Sequence, residues 1–401
     1  MQKITFVLPS RNNLEFLKLA YQSIRNLQTK HEVLILDDAS EDGTSEWIIS
    51  LQDPDVIHYH NPGPKRIGIV GMFDKGIEMA RTEIIFAFHA DMVAAPNLDV
   101  NILKHLKPGI VVCATRVEPP LHPAGPEKIT VDFGIEADQF DFNNWNANSV
   151  NLMQDKTTEG IFAPWCMYKT DYLAIGGHDP LFAPQSKEDS DLFNRFVLNG
   201  YVTLQSWDGL VYHFTSRGSR FNKYAGGSAG KDSPEWQYTT NKNARNFIRK
   251  WGHFVKHTEL MKPIIPSKYG IAFRVENCTQ QLLHTLEPWC DRIYSDADWM
   301  KYISLEQTNT IMNLRKRCHS LTDSDRYDYD DIIVEINGNR LTQQDFTYIQ
   351  QLAEILDSTD LLNEFAQPGE QFELGNLKIT IMNIQTYEKN LIKTNQQHIY
   401  S

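Results

Sequence analysis

The chain has 401 residues, long enough for two or three domains rather than one. Hydrophobic residues make up 41% and charged residues 22%, an ordinary globular composition that excludes disorder as the main state. Lysine and arginine total 39 against 51 aspartates and glutamates, a net charge of −12 that disfavours a nucleic-acid partner but leaves room for a local basic pocket.

The opening segment MQKITFVLPSRNN goes straight into a strand-like run, Ile4 to Leu8, which stops at Pro9-Ser10-Arg11. It has no signal-peptide apolar region, and no stretch is apolar for long enough to span a bilayer. The five cysteines, Cys113, Cys166, Cys278, Cys290 and Cys318, are odd in number and widely spaced. That pattern suggests neither a disulfide framework nor a zinc site, so a cytoplasmic protein with reduced thiols and no transmembrane segment is expected.

Leu14, Leu17, Tyr21, Ile24 and Leu27 recur at helical spacing. Val33 to Leu36 predicts a second strand, followed by Asp37-Asp38. A helix is expected over Val70 to Ala80, a strand over Ile84 to Phe88 ending in His89-Ala90-Asp91, and a strand over Ile110 to Cys113. Strands alternating with helices imply βαβ units and an open, mostly parallel α/β sheet. From Glu118 to Gln154 prolines and asparagines break the pattern, which predicts a long functional excursion. Organisation resumes with the Gly176-Gly177 turn, the acidic helix start KEDSD and the strand GLVYHF; the helix Arg245 to Trp251 closes this half.

Pro263 and Pro266 mark a linker, after which the α/β alternation restarts. Helices are expected over Thr279 to Leu286, Glu306 to Arg317 and Thr342 to Leu356, and a hairpin about Gly375-Asn376. The expected division is 1–258, a linker at 259–268, and a smaller C-terminal α/β domain at 269–401 in which no functional motif is legible.

Three polar clusters follow predicted strands: Pro9-Ser10-Arg11, Asp37-Asp38 and His89-Ala90-Asp91. Open α/β sheets bind ligands outside the carboxyl ends of their strands. If these strands are neighbours, the clusters meet in one crevice suited to a base, a diphosphate and a divalent metal. Each cluster alone also reads as an ordinary turn, and KEDSD as an ordinary acidic helix start.

In this order, VLPSRNN, LILDDASEDGTSEW, FAFHADMVAAPN, IGGHDPLFAPQSKEDSDLFNRFVLNGY and VYHFTS resemble a family 2 glycosyltransferase of the GT-A fold, over about Lys3 to Trp251. The resemblance implies that Asp38 contacts the nucleotide base and that Pro9, Ser10 and Arg11 line the same pocket, with Gly68 and Asp74 beside it. It implies that Asp91, the last residue of an Asp-x-Asp motif, binds a divalent metal on the donor diphosphate. His213 then closes the metal or diphosphate site, and Asp189 is the catalytic base. The first motif position is His89, whose nitrogen suits Mn2+ better than Mg2+. Asp74 stands where the family often has Asn. Trp165, Gly177 and Glu188 are acceptor-site candidates, with Trp145 and Trp207 as further stacking rings. The loop FTSRGSRFNKYAGGSAGK would form a lid, with Arg217, Arg220 or Lys223 reaching the phosphates.

The implied activity is that of an inverting glycosyltransferase. It would move a sugar from a nucleotide-diphospho-sugar, UDP in preference to GDP, to a saccharide or other acceptor hydroxyl. The alternative is a degenerate scaffold that binds the nucleotide without catalysis, for which His89 speaks. A nucleotidyltransferase would open on a glycine-rich loop, and VLPSRNN has no glycine.

Overall fold

The strands are built from the apolar runs. The computed structural model describes residues 2–326, 330–358 and 368–393. The first sheet comprises β1 (Ile4–Ser10), β2 (Glu32–Asp38), β3 (Val56–Asn61), β4 (Ile84–Ala87), β5 (Met92–Ala94), β6 (Ile110–Glu118), β7 (Ile129–Thr130), β8 (Thr157–Glu159), β9 (Trp165–Tyr168) and β10 (Val202–His213). Its order is β3-β2-β1-β4-β9-β6-β10-β5, with β7 on β6 and β8 on β10. β1 pairs in parallel with β2 and β4, β2 with β3, and β6 with β10. β9 runs antiparallel to both β4 and β6. Two reversals restore the direction, so the carboxyl ends of β1, β2, β4, β6 and β10 share one edge, as the mostly parallel expectation requires.

Side chains alternate across this sheet. Phe6 and Leu8 face α1 (Leu14–Arg25) and pack in one cluster with Leu17, Ala20 and Ile24. Val7 faces the other way, clustering with Leu34, Leu36 and with Met72, Phe73 and Ile77 of α3 (Gly68–Met79). The remaining helices of this region are α2 (Thr44–Ser50), α4 (Leu98–Leu103), α5 (Phe142–Asn148), α6 (Lys169–Ala174), α7 (Glu188–Leu198) and α8 (Pro234–Trp251). Phe6 is wholly buried with its ring 5.1 Å from that of Phe86. Truncating such a residue to alanine costs about 3–5 kcal/mol.

The excursion after Glu118 is anchored rather than open. Phe133, Phe140 and Trp145 are buried with Tyr212 and Phe214, and the Trp145 indole N–H donates to Ala94 O at 3.1 Å. Aromatic burial thus overrides the proline and asparagine content. β6 also runs five residues beyond the expected end at Cys113, to Glu118, because Thr115, Arg116 and Glu118 find polar partners inside the protein.

The second sheet comprises β11 (Ile271–Glu276), β12 (Arg292–Ser295), β13 (Cys318–Ser320), β14 (Ile332–Asn337), β15 (Glu370–Leu374) and β16 (Leu377–Ile381), in the order β13-β12-β11-β14-β16-β15. The first four are parallel, and β15–β16 is the expected hairpin, with Gly375 at φ +63° in its turn. Its helices are α9 (Gln280–Leu286), α10 (Trp299–Glu306), α11 (Gln343–Gln350) and α12 (Leu352–Asp357). The helix expected over 306–317 is instead α10, ending at Glu306, and two short 3-10 turns. There the Gln307 side chain bonds Thr310 O, Met312 O and Leu314 N–H and replaces helical bonding.

The chain divides into one unit of residues 1–240 with 257–264 and another of 241–256 with 265–401. The division is therefore not a cut at one linker. Residues 257–264 pack in the first unit, where Ile161 N–H donates to Met261 O at 3.3 Å. Residues 241–256 belong to the second unit, where Arg249 is buried against Glu287 and Glu306. The five cysteines are free and buried. Among the described residues no helix is long and apolar enough to cross a membrane.

Candidate active site

One cavity opens at the carboxyl edge of the first sheet. Its lining brings together Pro9, Ser10, Arg11, Asp38, Gly68, His89, Asp91, Glu188, Asp189 and His213. The lining comes from strand ends far apart in sequence, and it gathers most of the residues named from the sequence.

Asp38 ends β2 and is buried. Its Oδ1 accepts from Asn61 Nδ2 at 2.7 Å and from Ile67 N–H at 2.8 Å, and its Oδ2 accepts from Gly68 N–H at 2.7 Å. The carboxylate thus ties down the start of α3. Gly68 sits at φ +87°, and a Cβ built there lies 2.5 Å from the Pro184 backbone, so the turn requires glycine. Arg66 reaches the same place, with Nε 4.0 Å from Asp38 Oδ2.

Asp91, just beyond β4, is also buried. Its Oδ2 accepts the backbone N–H of Arg217 at 2.6 Å and lies 3.8 Å from His213 Nε2. The other ring nitrogen, His213 Nδ1, is 2.7 Å from Glu118 Oε1. Glu118 also pairs with Arg116 at 2.9 Å and Lys128 at 2.8 Å. Against the cost of burial, Arg116, His213 and Lys128 hold its carboxyl far below the usual range. A carboxylate fixing one imidazole nitrogen while the other faces a ligand position is how metal-binding histidines are commonly oriented. His89 stands beside them with its ring 5.6 Å from Phe73. Burial pushes its pKa below the usual imidazole value, against the pull of Asp189 and Asp91.

Asp91 and His213 therefore fit a divalent ion. Among the described residues no group of three or more His, Cys, Asp or Glu could hold an ion unaided. An ion here would complete its shell with oxygens of a bound phosphate and water, as Mg2+-type sites do.

Glu188 and Asp189 open α7. Ser186 and Lys187, both left-handed at φ +78° and +72°, turn the chain into it. Lys187 occupies the N-cap position and makes no side-chain cap bond, so Asp189 is not the cap. Asp191 and Arg195, both fully buried, pair at 2.8 Å. Arg195 also donates to Ile175 O at 3.0 Å and Gly177 O at 2.7 Å, which locks α7 to the glycine turn. Burial, with the Asp189 charge beside it, pushes Glu188 up to about 8.

Other named residues fall outside the lining. Asp74 accepts from Tyr172 Oη and from His178 N–H at 3.0 Å, and a Cβ on Gly177 would lie 2.9 Å from its Oδ1. Asp74 and Gly177 thus brace the GGHDP turn from behind the cavity, which accounts for a carboxylate at position 74. Trp165 is core, stacked on Tyr172 at 5.8 Å. Trp145 and Trp207 are core too; the Trp207 indole donates to Thr158 Oγ1 at 2.9 Å. The arginines of the loop after β10 turn away from the cavity: Arg217 to Ile135 O and Glu136, Arg220 to Asp232. What this loop gives the site is the Arg217 backbone N–H on Asp91, together with Ser216, Gly218 and Ser219 in the cavity lining.

Sequence reasoning missed Asn13, Arg66, Phe162, Gln185 and Trp236 in the lining, and Glu118 behind His213. Glu118 was findable, as another strand-end carboxylate, had β6 been followed to its end. Asn13, Arg66, Phe162 and Gln185 come from connections with no periodicity to read, and Trp236 from the first turn of α8.

A sequence model described as "Glycosyl transferase family 2" matches residues 5–153. No curated protein is matched. Among solved structures, GalNAc-T7 with UDP, GalNAc and Mn2+ is 13% identical with a TM-score of 0.45, over 63% of this chain and 48% of that one. The mannosyltransferase PcManGT from Pyrobaculum calidifontis, in complex with GDP-Man and Mn2+, is 17% identical with a TM-score of 0.40, over 61% and 62%. S. aureus TarS 1-349 is 13% identical with a TM-score of 0.40, over 62% and 66%. The chain thus spans about half the length of the first of these and under two thirds of the others.

Proposed function

We propose that the cavity of this chain, whose residues 5–153 match a model described as "Glycosyl transferase family 2", binds a nucleotide-diphospho-sugar and passes the sugar to an acceptor hydroxyl with inversion. One observation carries the reading. Buried Ser10 Oγ, Arg11 Nε, Asn13 Nδ2, Arg66 Nε and Glu188 Oε2 lack hydrogen-bond partners among the described residues, and all five residues line this one cavity. Unpaired buried polar atoms are costly and call for an explanation. Here the donors suit an acceptor-rich anion, and Glu188 suits a hydroxyl.

In the proposed reaction the acceptor oxygen attacks the anomeric carbon as the bond to the diphosphate breaks. Asp189, half-buried in the cavity wall, takes the acceptor proton. Glu188, holding its own proton near neutrality, is poised to donate to a sugar oxygen. The nucleoside diphosphate leaves with the bonding electrons. A divalent ion held by Asp91 and His213 would neutralise charge on that leaving group. The imidazole ligand favours Mn2+ over Mg2+. Phe162 and Trp236 are the aromatic faces that the lining offers. UDP is preferred to GDP as the donor nucleotide, and the free cysteines support a cytoplasmic setting.

The test is thermal stabilisation by UDP and GDP with and without Mn2+, followed by the anomeric configuration of the product. Metal-dependent stabilisation by one nucleotide and an inverted product are expected. No nucleotide stabilisation sinks the reading. Stabilisation without turnover against a panel of sugar nucleotides leaves a binding scaffold instead.

A further inference from the structure

We propose that Arg11 and Arg66 form a phosphate clamp in the donor cavity, and that Glu235 occupies this clamp as an internal anion when no donor is bound. The proposal rests on the donor reading above and goes beyond it in assigning two of its unpartnered side chains, Arg11 and Arg66, to the diphosphate and Glu235 to the role of their competitor.

The two guanidinium groups arrive from separate connections, Arg11 after β1 and Arg66 ahead of α3. Like charges brought together need an anion between them. Glu235, in the first turn of α8, supplies it: one oxygen pairs with Arg66 Nη1 and the other lies 3.7 Å from Arg11 Nη1. The match is incomplete. Each arginine keeps a buried Nε–H without a partner, although each fork can hold an oxyanion through two parallel bonds. Arg66 Nη2 donates to Gln185 Oε1 at 3.3 Å. Asp38, the other carboxylate near Arg66, already accepts from Asn61, Ile67 and Gly68.

A single carboxylate thus brings one charge and two oxygens to a pair of forks that can use more. A diphosphate brings more of both. A neutral base would leave the arginines uncompensated once Glu235 moved, so the clamp is fitted to the phosphates. Donor binding is then an exchange of anions, and Glu235 competes with the donor. A lysine at either position would supply the charge but not the fork.

The test uses the full chain and calorimetric titration at fixed Mn2+ with UDP and with uridine, and with GDP and guanosine in parallel. Arg66→Ala and Arg11→Ala are each expected to weaken the nucleoside diphosphate by about ten- to hundredfold and to leave the nucleoside unchanged. Glu235→Gln is expected to tighten the diphosphate severalfold, and Glu235→Gln with Arg66→Ala to lose that gain. Arg66→Lys, with melting temperatures for every variant, separates lost contact from lost folding. Equal weakening of nucleoside and diphosphate by Arg66→Ala would make it a base or ribose contact and overturn the clamp. Unchanged diphosphate affinity in both arginine variants would assign the pair to an anionic acceptor, and unchanged or weaker affinity in Glu235→Gln would end the competition argument. If the wild type binds neither diphosphate, the donor reading itself fails.

Discussion

At residue scale, the proposed chemistry turns on adjacent carboxylates with different surroundings. Asp189→Asn keeps the shape of the side chain but cannot take a proton, so transfer should fall about a hundred- to ten-thousandfold. Nucleotide affinity and melting temperature should stay near wild type, because Asp189 is not the helix cap. Near-full turnover in that variant would remove Asp189 from the chemistry, and Asp191 could not replace it, being buried against Arg195. Glu188 carries a pH signature. Its value is raised from 4.5 to about 8, so between those values the folded chain keeps a proton that the unfolded chain has lost. Stability from this group is therefore full below pH 4.5 and is lost as pH rises towards 8. Glu188→Gln should melt higher than wild type at the alkaline end of that window and equally at its acid end, by calorimetry across pH. Asp38→Ala should raise KM for the donor more than it lowers kcat, as loss of a ground-state contact does. It should also cost on the order of 2–3 kcal/mol in denaturant unfolding, since it strands the N–H groups of Ile67 and Gly68 and the Asn61 amide.

At the scale of elements, one side chain of the second sheet does two jobs. Asp345 completes the capping box of α11 with Thr342 and accepts both the backbone N–H and the side-chain amide of Asn376 in the β15–β16 turn, each at 2.9 Å. Asp345→Ala should cost about 1–2 kcal/mol for the cap alone and more with the turn. Hydrogen exchange should rise in α11 and the hairpin together; a rise confined to α11 would show that they are not coupled. The hairpin was legible because Gly375-Asn376 is a turn signal with a mechanism. The strands Ile4 to Leu8, Val33 to Leu36 and Ile84 to Phe88 were legible because burial on both faces leaves unbroken apolar runs. β6 was read short because Arg116 and Glu118 look like surface residues until their partners are known. The tryptophans mislead for the opposite reason: a ring that could stack on a sugar is, in sequence, indistinguishable from one that fills a core. The cavity floor was therefore readable from strand ends, whereas Arg66 and Gln185, set in place by connections, and Trp236, at the start of α8, were not.

For the whole molecule, the division into units bears on truncation. A fragment ending at residue 266 keeps 241–256 but loses the rest of their unit. It strands Ile248, which belongs to the second hydrophobic core, and takes Glu287 and Glu306 from Arg249. It is expected to give less soluble protein and a lower melting temperature than the full chain. A monomeric 1–266 fragment with full-chain stability would show that the first unit stands on a single cut. The open sheets have a further consequence, for behaviour at high concentration. Every open sheet ends in strands with unpaired backbone groups, which invite pairing with another copy. Here β5 and β13 have three residues each, β3 is bracketed by Pro54 and Pro62, and β15 carries Glu370 and Glu373. Two copies meeting at β15 would set like charges side by side, so the route from crowding to fibrous aggregation is obstructed at each border before the net charge of −12 adds its own repulsion.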